Sequence, residues 1–307
     1  MNRIFDKHIT CAFLYSITKY GYPPYAGDMI KYIEEMYNLG FRSVEIEGIG
    51  YEGIETLVNM KWDIKAFLSE KDIELPVFCT VLPKLTSPDK GSAFEAMKFF
   101  EKGCETASFL GAEGVLDNGP LIPYEFSADM PIHRHYSPES IGAVGFSQGF
   151  SWNVHHDYMV KIMKRACEIA GNYGLCYYMH PCVGSLTDTT DGYMQLKNDV
   201  GADNLKFNFD TSNLYYMREN LALSLMKLGD DIDYIHVSDS FGDRIEHQKT
   251  GDGSINWEML FAVLKKIGFH GKLSIDVGGD ESHVENIEDA YVATANFLEN
   301  QMKKYEI

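Results

Sequence analysis

The sequence predicts an α/β protein folded as a closed (β/α)8 TIM barrel, and three observations lead to this prediction. Short apolar runs alternate with helix-like stretches along the chain, which is typical of parallel strands joined by helical crossovers. Eight such units can be counted, and this number favours a closed barrel over an open sheet. The segment after the first strand lacks the glycine-rich phosphate loop of many open sheets. We therefore expect one barrel domain over residues 1–307, with an insertion-like loop at about 118–151.

The first half of the chain contains four strand–helix units. The first strand is expected at 8–14 and its helix at 23–39, where apolar residues recur at helical spacing and Gly40 ends the helix. The third strand is rich in Val, Phe, Cys and Thr, as strands commonly are. The remaining elements of this half are expected as strands at 43–47, 75–82 and 114–116, and as helices at 54–68 and 93–110.

The regular alternation breaks at 118–151, a segment that contains Pro120, Pro123, Pro131 and many aromatic residues. A segment this long without periodicity is usually functional or disordered, and its aromatic content favours an ordered active-site loop. The alternation then resumes. Strands are expected at 176–180, 205–210, 234–237 and 272–277, and helices at 154–170, 191–200, 221–228, 257–267 and 287–302.

The composition argues against several classes of partner. The chain has 45 Asp and Glu residues and 27 Lys and Arg residues. The resulting net charge of −18 disfavours nucleic acid and anionic membranes as partners. No apolar run approaches the roughly 18 residues of a membrane span. The six cysteines form no CxxC pair, which predicts reduced thiols in a cytoplasmic protein. Only six arginines are available for a phosphate clamp, so we expect a small neutral substrate, and a homo-oligomer is expected because such barrels often associate.

Polar residues at the ends of the last four predicted strands indicate where chemistry takes place. Active sites of such barrels lie at the C-terminal ends of the strands, and here these ends carry His180, Asp210, His236 and Asp276. Carboxylates and imidazoles that converge from adjacent strands suit a divalent metal with open coordination positions. The oxygen-rich set favours Mn²⁺, with Mg²⁺, Co²⁺ and Zn²⁺ as alternatives.

Each of these four residues also has a purely structural interpretation. Asp210 is a candidate helix N-cap, His236 a candidate core histidine, and His180, which precedes a proline, a candidate turn residue. Asp276 lies in an apolar predicted strand, where a carboxylate is costly to bury unless it is paired or ligated. Together the four make a stronger prediction than any one of them.

Five segments carry a resemblance to a known family: YYMHP at 177–181, NFDTSN at 208–213, IHVSD at 235–239, GDGSINW at 251–257 and GFHGKLSID at 268–276. They resemble the xylose-isomerase-like TIM barrels, which include sugar phosphate isomerases/epimerases, ketose 3-epimerases and inosose dehydratases. The resemblance extends over nearly the whole chain and is strongest from Tyr177 onward. It implies a divalent metal held by a Glu on strand five, an Asp on strand six, a His on strand seven and a Glu on strand eight.

The chain departs from that family pattern at three positions. The resemblance places Tyr178 at the strand-five Glu, Asp276 at the strand-eight Glu, and Asn213 where a His is usual. Tyr178 and His180 are two residues apart and so face the same side of the strand. His180 is therefore a candidate both for the missing ligand and for a general base, since the pKa of an imidazole suits proton transfer at neutral pH.

Further residues near the barrel mouth are candidates for substrate contact. Glu45 and Glu47 share one face of strand two. The resemblance implies a Glu here near the substrate, and Glu47 is the candidate; the alternative for Glu47 is a solvated carboxylate at the strand end. Arg244 either holds a substrate hydroxyl or phosphate or forms a surface ion pair with Asp243 or Glu246. The resemblance also matches a histidine in the loop after strand seven. The substrate-binding candidates are thus Glu47, Tyr178, Asn213, Arg244 and His247.

The sequence predicts a metal-dependent isomerase or epimerase of a sugar or polyol. Metal chelation of a carbonyl and its neighbouring hydroxyl acidifies the carbon-bound proton, which His180 and Asp276 are expected to move. A dehydratase or lyase on an oxidised sugar, either inosose dehydratase-like or deglycosylating a 3-oxo-glycoside, uses the same acidified proton and is the first alternative. A non-catalytic sugar-binding barrel is the alternative from a different class.

Overall fold

Eight parallel strands form the centre of the part of the chain that the computed structural model describes, which is residues 3–126, Tyr136 and 138–307. At least one helix follows each strand, as expected of (β/α) units. The strands are β1 (Ile9–Cys11), β2 (Ile46–Ile49), β3 (Val77–Val81), β4 (Gly114–Asp117), β5 (Cys176–Met179), β6 (Leu205–Asp210), β7 (Tyr234–Val237) and β8 (Lys272–Ile275).

The strands follow one another in chain order around a closed ring. The sheet runs from β2 through β3 to β8 and then to β1, and every neighbouring pair is parallel. The ring closes between β1 and the approach to β2, where Cys11 and Val44 form a parallel bridge. There the Cys11 N–H donates to Ser43 O at 3.0 Å and the Glu45 N–H donates to Cys11 O at 2.9 Å. The predicted (β/α)8 barrel is therefore confirmed.

The helices form a layer around the strands, and the core lies between the two layers. Tyr177 of β5 faces this outer layer and packs on Phe100 with ring centroids 4.9 Å apart, whereas Tyr178 faces the barrel interior. The helices are α1 (Leu14–Tyr20), α2 (Met29–Asn38), α3 (Gly50–Lys71), α4 (Lys90–Leu110), α5 (Pro138–Gly142), α6 (Trp152–Asn172), α7 (Thr190–Val200), α8 (Thr211–Tyr216), α9 (Leu221–Leu228), α10 (Trp257–Ile267) and α11 (Ile287–Tyr305).

Most helix ends agree with the sequence, and the exceptions have local causes. Gly111 and Gly268 follow α4 and α10 with φ of +96° and +68°, a conformation that glycine adopts without strain. The first strand is shorter than expected because α1 already begins at Leu14. The helix α8 has six residues, too few to give a readable periodicity. Within the described residues, no helix has both the length and the apolar character needed to cross a bilayer.

The predicted loop at 118–151 is ordered where it is described. Leu121 pairs with Ser185 and Glu125 with Gly145 in antiparallel bridges, and the Tyr136 N–H donates to Val183 O at 3.1 Å. The contacts with Ser185 and Val183 hold the loop against the segment that follows β5, and the bridge between Glu125 and Gly145 joins two parts of the loop itself. Pro131 lies outside the described residues.

Candidate functional site

The four predicted strand-end residues converge at the C-terminal mouth of the barrel. Asp210 ends β6 and pairs in register with His236 of β7. Asp276 directly follows β8, where its N–H donates to Val237 O at 3.0 Å. His180 directly follows β5. All four are at most 4% exposed, so the site is enclosed by the strands and loops around it.

A fifth residue, His247 from the loop after β7, joins these four. The Asp210 Oδ2 atom lies 3.9 Å from His180 Nε2, 3.9 Å from His236 Nδ1 and 3.9 Å from His247 Nε2. The Asp276 Oδ2 atom lies 3.7 Å from His236 Nδ1 and 3.8 Å from His247 Nε2. Asp210 thus has three imidazoles beside it and shares two of them with Asp276, and we call these five residues the histidine–aspartate cluster.

The two oxygens of Asp210 have different environments. The Oδ1 atom accepts the backbone N–H of Asn213 at 2.7 Å and caps α8, so the capping interpretation of Asp210 is correct for this oxygen. The Oδ2 atom is buried and has no hydrogen-bond partner among the described residues, and the same is true of His236 Nδ1. Such buried polar atoms are costly unless a further group binds them.

Burial and the neighbouring charges shift the pKa values of two residues of the cluster, Asp210 and His236. Burial raises the pKa of the Asp210 carboxyl, because the positive charges of His247 and His236 do not compensate for desolvation and the nearby Asp276. Burial alone would lower the pKa of His236, but Glu45, Asp276 and Asp210 outweigh it and raise this pKa to about 9. A divalent cation would neutralise the two carboxylates and accept the lone pairs of neutral imidazoles.

The three histidines differ in what holds their rings. His236 Nε2 lies 2.9 Å from Glu45 Oε2, and Glu45 also accepts the Tyr234 hydroxyl at 2.8 Å. His247 Nδ1 lies 3.2 Å from Glu281 Oε1.

The ring of His180 instead contacts side-chain amides. The Asn208 Nδ2 atom lies 2.9 Å from His180 Nδ1, and the Asn213 Nδ2 atom lies 3.2 Å from His180 Nε2. Asn213, predicted to contact substrate, therefore lies at the site and orients His180. His180 differs in this respect from the two carboxylate-bound histidines.

Three predicted substrate-binding residues do not join the histidine–aspartate cluster. Tyr178 is 3% exposed and packs inside the barrel with Val77, Cys79, Leu116 and Tyr234, which removes it from a substrate at the mouth. The Arg244 side chain is 55% exposed, and its Nε atom pairs with Glu246 Oε2 at 3.0 Å, which is the ion-pair interpretation. Glu47 lines a neighbouring groove of about 270 Å³ together with Phe13 and Tyr25.

Three residues that contact the histidines were not among the sequence-predicted site residues. Glu45 was noted only as the neighbour of Glu47, although alternation places both on one face of the strand. Alternation also indicates Asn208, because it lies two residues before Asp210 and so faces the same side of the strand. No sequence pattern predicts the contact of Glu281, because this residue reaches His247 from the loop after β8.

Asp117, at the end of β4, gives a prediction on stability. Burial raises the pKa of its carboxyl from 3.8 to about 7, against hydrogen bonds from the Asn118 N–H and the Tyr177 hydroxyl. The folded state therefore binds more protons than the unfolded state, and its stability falls as the pH rises from about 4 to about 7. We expect the free energy of unfolding of the wild type to fall by about 2–3 kcal/mol, relative to that of Asp117→Asn, when the pH rises from 5 to 8.

Urea unfolding at the two pH values measures this difference. Asp72→Asn is the matched control, because it makes the same change of side chain at a position that is 86% exposed. A wild-type minus Asp117→Asn difference that is the same at pH 5 and pH 8 would contradict the prediction.

Comparison with known proteins identifies the relatives of this chain. A family model described as xylose isomerase-like TIM barrel matches residues 33–301. An uncharacterised protein of Methanocaldococcus jannaschii, MJ1311, is 31% identical over 119 residues, which are 37% of this chain and 41% of that protein. The D-psicose 3-epimerase of Enterocloster bolteae is 21% identical over 80% of this chain and 75% of the enzyme. An inosose dehydratase of Clostridium botulinum is 24% identical over 45% of this chain and 51% of that enzyme.

Solved structures share the fold at low sequence identity. The apo 3-keto-D-glucoside 4-epimerase YcjR of E. coli superposes with a TM-score of 0.70 at 16% identity, covering 96% of this chain and 100% of that one. The IolI protein, solved with a zinc atom bound, superposes with a TM-score of 0.71 at 16% identity, covering 97% and 98% of the two chains. These similarities show the fold alone.

Proposed function

Because the chain belongs to the xylose isomerase-like TIM barrel family, we propose that it is a metal-dependent epimerase or isomerase of a sugar or polyol. The observation that carries the proposal is the pair of buried atoms Asp210 Oδ2 and His236 Nδ1. They lie 3.9 Å apart, and neither has a hydrogen-bond partner among the described residues. A cation between them would satisfy both atoms.

The proposed ligands are Asp210, His236, His247 and Asp276. Their facing atoms come within 3.7–3.9 Å of one another in four pairs, and two carboxylates with two imidazoles suit Mn²⁺, Co²⁺ or Zn²⁺. When bound, the ion would stabilise negative charge that develops on a substrate carbonyl oxygen. From the sequence, His180 was predicted to be a metal ligand or a general base, and the contacts of its ring with two amides favour the general base. His247 was predicted to contact substrate, and its distances to Asp210 and Asp276 favour a metal ligand instead.

Proton transfer is assigned to His180 and Asp276, which approach the cluster from two strands that are not neighbours in the sheet. His180 follows β5 and Asp276 follows β8, with Asp210 of β6 and His236 of β7 between them. Epimerisation needs one group that removes a proton from one face of a carbon and another that returns a proton to the other face. The two-strand separation of His180 and Asp276 supports this division of roles.

The substrate is proposed to be neutral rather than phosphorylated. Arg244, the arginine that the sequence offered as a phosphate ligand, pairs with the buried carboxylate of Glu246. The cluster itself adds two carboxylates to the mouth, and an uncharged polyol would not be repelled by them. Asn213 and Glu47 remain proposed as hydroxyl-binding residues at the margin of the site.

Solvent isotope exchange tests this activity. The protein, loaded with Mn²⁺ in heavy water, is incubated separately with D-psicose, L-ribulose, an inosose and a 3-keto-D-glucoside. We expect one deuterium to enter the recovered sugar of one class, together with formation of its epimer. The Asp210→Asn variant is the control. An absence of exchange into every sugar by a metal-loaded protein would contradict the proposed epimerase.

A dehydratase is the second candidate, and the match to inosose dehydratases favours it. Loss of water begins with the same proton removal but ends with departure of a hydroxyl group. In the isotope experiment this reaction yields an unsaturated ketone instead of a deuterated epimer. Mass spectrometry of the product therefore separates the two candidates in the same sample.

A further inference from the structure

The structure assigns two positioning residues to the histidine–aspartate cluster, Glu45 and Glu281, each of which fixes the ring of one histidine so that its other nitrogen faces the cation site. This inference rests on the proposed metal site. It concerns which residues outside the cluster tune its affinity for a cation.

The contact between Glu45 and His236 is the stronger of the two. Glu45 lies just before β2, is fully buried, and contacts His236 Nε2 through its Oε2 atom at 2.9 Å. The Tyr234 hydroxyl donates to the same oxygen at 2.8 Å and fixes the carboxylate. A carboxylate only accepts, so Nε2 keeps its proton in the neutral ring that a cation would bind, and the lone pair then lies on Nδ1. That nitrogen faces Asp210 and Asp276.

The contact between Glu281 and His247 repeats this arrangement with the ring nitrogens exchanged. Glu281 Oε1 lies 3.2 Å from His247 Nδ1, which leaves the lone pair of the neutral ring on Nε2, toward Asp210 and Asp276. The His247 backbone N–H donates to Ser282 Oγ at 2.8 Å, so both contacts come from the loop after β8. The Glu281 side chain is 29% exposed, and solvent weakens its effect relative to that of Glu45.

The two contacts come from distant parts of the chain, yet each leaves the other nitrogen of its histidine facing Asp210. One carboxylate precedes β2 and the other follows β8, and they bond opposite nitrogens of their histidines. In both rings the remaining nitrogen lies within 3.9 Å of Asp210 Oδ2. Carboxylate partners of this kind fix the tautomer and raise the basicity of metal-binding histidines, and their loss typically weakens metal affinity by 10–100-fold.

The test measures the dissociation constant of Co²⁺ in Glu45→Gln and Glu281→Gln by competition with a chelating dye. We expect affinity to fall by about 10–100-fold in Glu45→Gln and by less in Glu281→Gln, and excess Co²⁺ to restore one bound ion per chain in both. Glu219→Gln is the matched control, because Glu219 is a part-buried carboxylate whose oxygens bond Thr190 and Ser224 rather than a histidine. Its Co²⁺ affinity should equal that of the wild type.

The outcomes separate this inference from the proposed function. If the wild type binds no Co²⁺, the metal site fails, and the positioning roles fail with it. If the wild type binds one ion and both variants keep its affinity, the positioning roles alone are wrong. An equal loss of affinity in Glu219→Gln would show a general structural effect and would also overturn them. Should Glu45→Gln not fold, Glu281→Gln on its outer loop still decides the question.

Discussion

Asp210→Asn lowers the affinity of the protein for a divalent cation by more than about 100-fold, because it removes the negative charge at the centre of the histidine–aspartate cluster. Asp210 Oδ2 is the atom that lies 3.9 Å from a nitrogen of each of His180, His236 and His247. Loss of a partner outside a metal site already costs 10–100-fold, so loss of a charged ligand should cost more. Turnover at limiting metal should fall in parallel.

The substitution is chosen so that the fold survives. Asparagine caps helices as well as aspartate does, and its side-chain oxygen can still accept the Asn213 N–H that caps α8. Asp89→Asn is the matched control, since Asp89 caps α4 by accepting the Ser92 N–H at 2.8 Å and is exposed, with no role in the cluster. Calorimetric titration with Mn²⁺ measures both variants. Wild-type affinity in Asp210→Asn would remove Asp210 from the proposed ligands.

His180→Gln lowers turnover by about 10²–10⁴-fold and leaves most of the metal affinity intact. Its ring is held by the side-chain amides of Asn208 and Asn213, and its Nε2 atom lies 3.9 Å from Asp210 Oδ2. Glutamine can keep polar contacts to those amides but cannot accept and return a proton. The measurement is the rate of deuterium entry into the sugar at saturating Mn²⁺, together with the bound metal per chain.

A histidine outside the site provides the control for His180→Gln. His156 of α6 pairs with Asp199 at 3.3 Å, and His156→Gln should keep both metal and turnover. Loss of bound metal from His180→Gln at saturating Mn²⁺ would make His180 a ligand instead of a proton carrier. Full turnover in this variant would return His180 to the turn-shaping role that its position before Pro181 also allows.

The sequence predicted the strands and the positions of four residues of the histidine–aspartate cluster because both follow from local periodicity. A strand that ends in Asp210 or His236 brings its last side chain to the mouth of any parallel barrel. Alternation also placed Tyr178 and His180 on one inward face. It did not give their height along the barrel axis, and Tyr178 lies one layer deeper, among Val77, Leu116 and Tyr234. The position at which the resemblance places the strand-five ligand is thus filled by a core residue.

Contacts that depend on the conformation of a loop could not be predicted from the sequence. Glu281 is separated from His247 by 34 residues and reaches it only because the loop after β8 folds back over the mouth. Arg244 was left between two interpretations, since its choice between substrate and Glu246 depends on the conformation of the loop after β7. Glu45 and Glu47 were equivalent by alternation, and only closure of the barrel between β1 and β2 places Glu45 against His236.

Elemental analysis of the purified protein tests the central claim most directly. The protein is measured as isolated, after exhaustive chelation, and after reconstitution with Mn²⁺ and gel filtration. The proposed site predicts about one Mn, Co or Zn per chain as isolated or after reconstitution, and none after chelation. A protein that is isolated without metal and takes up no Mn²⁺, Co²⁺ or Zn²⁺ on reconstitution would contradict the metal-dependent mechanism and favour a sugar-binding barrel instead.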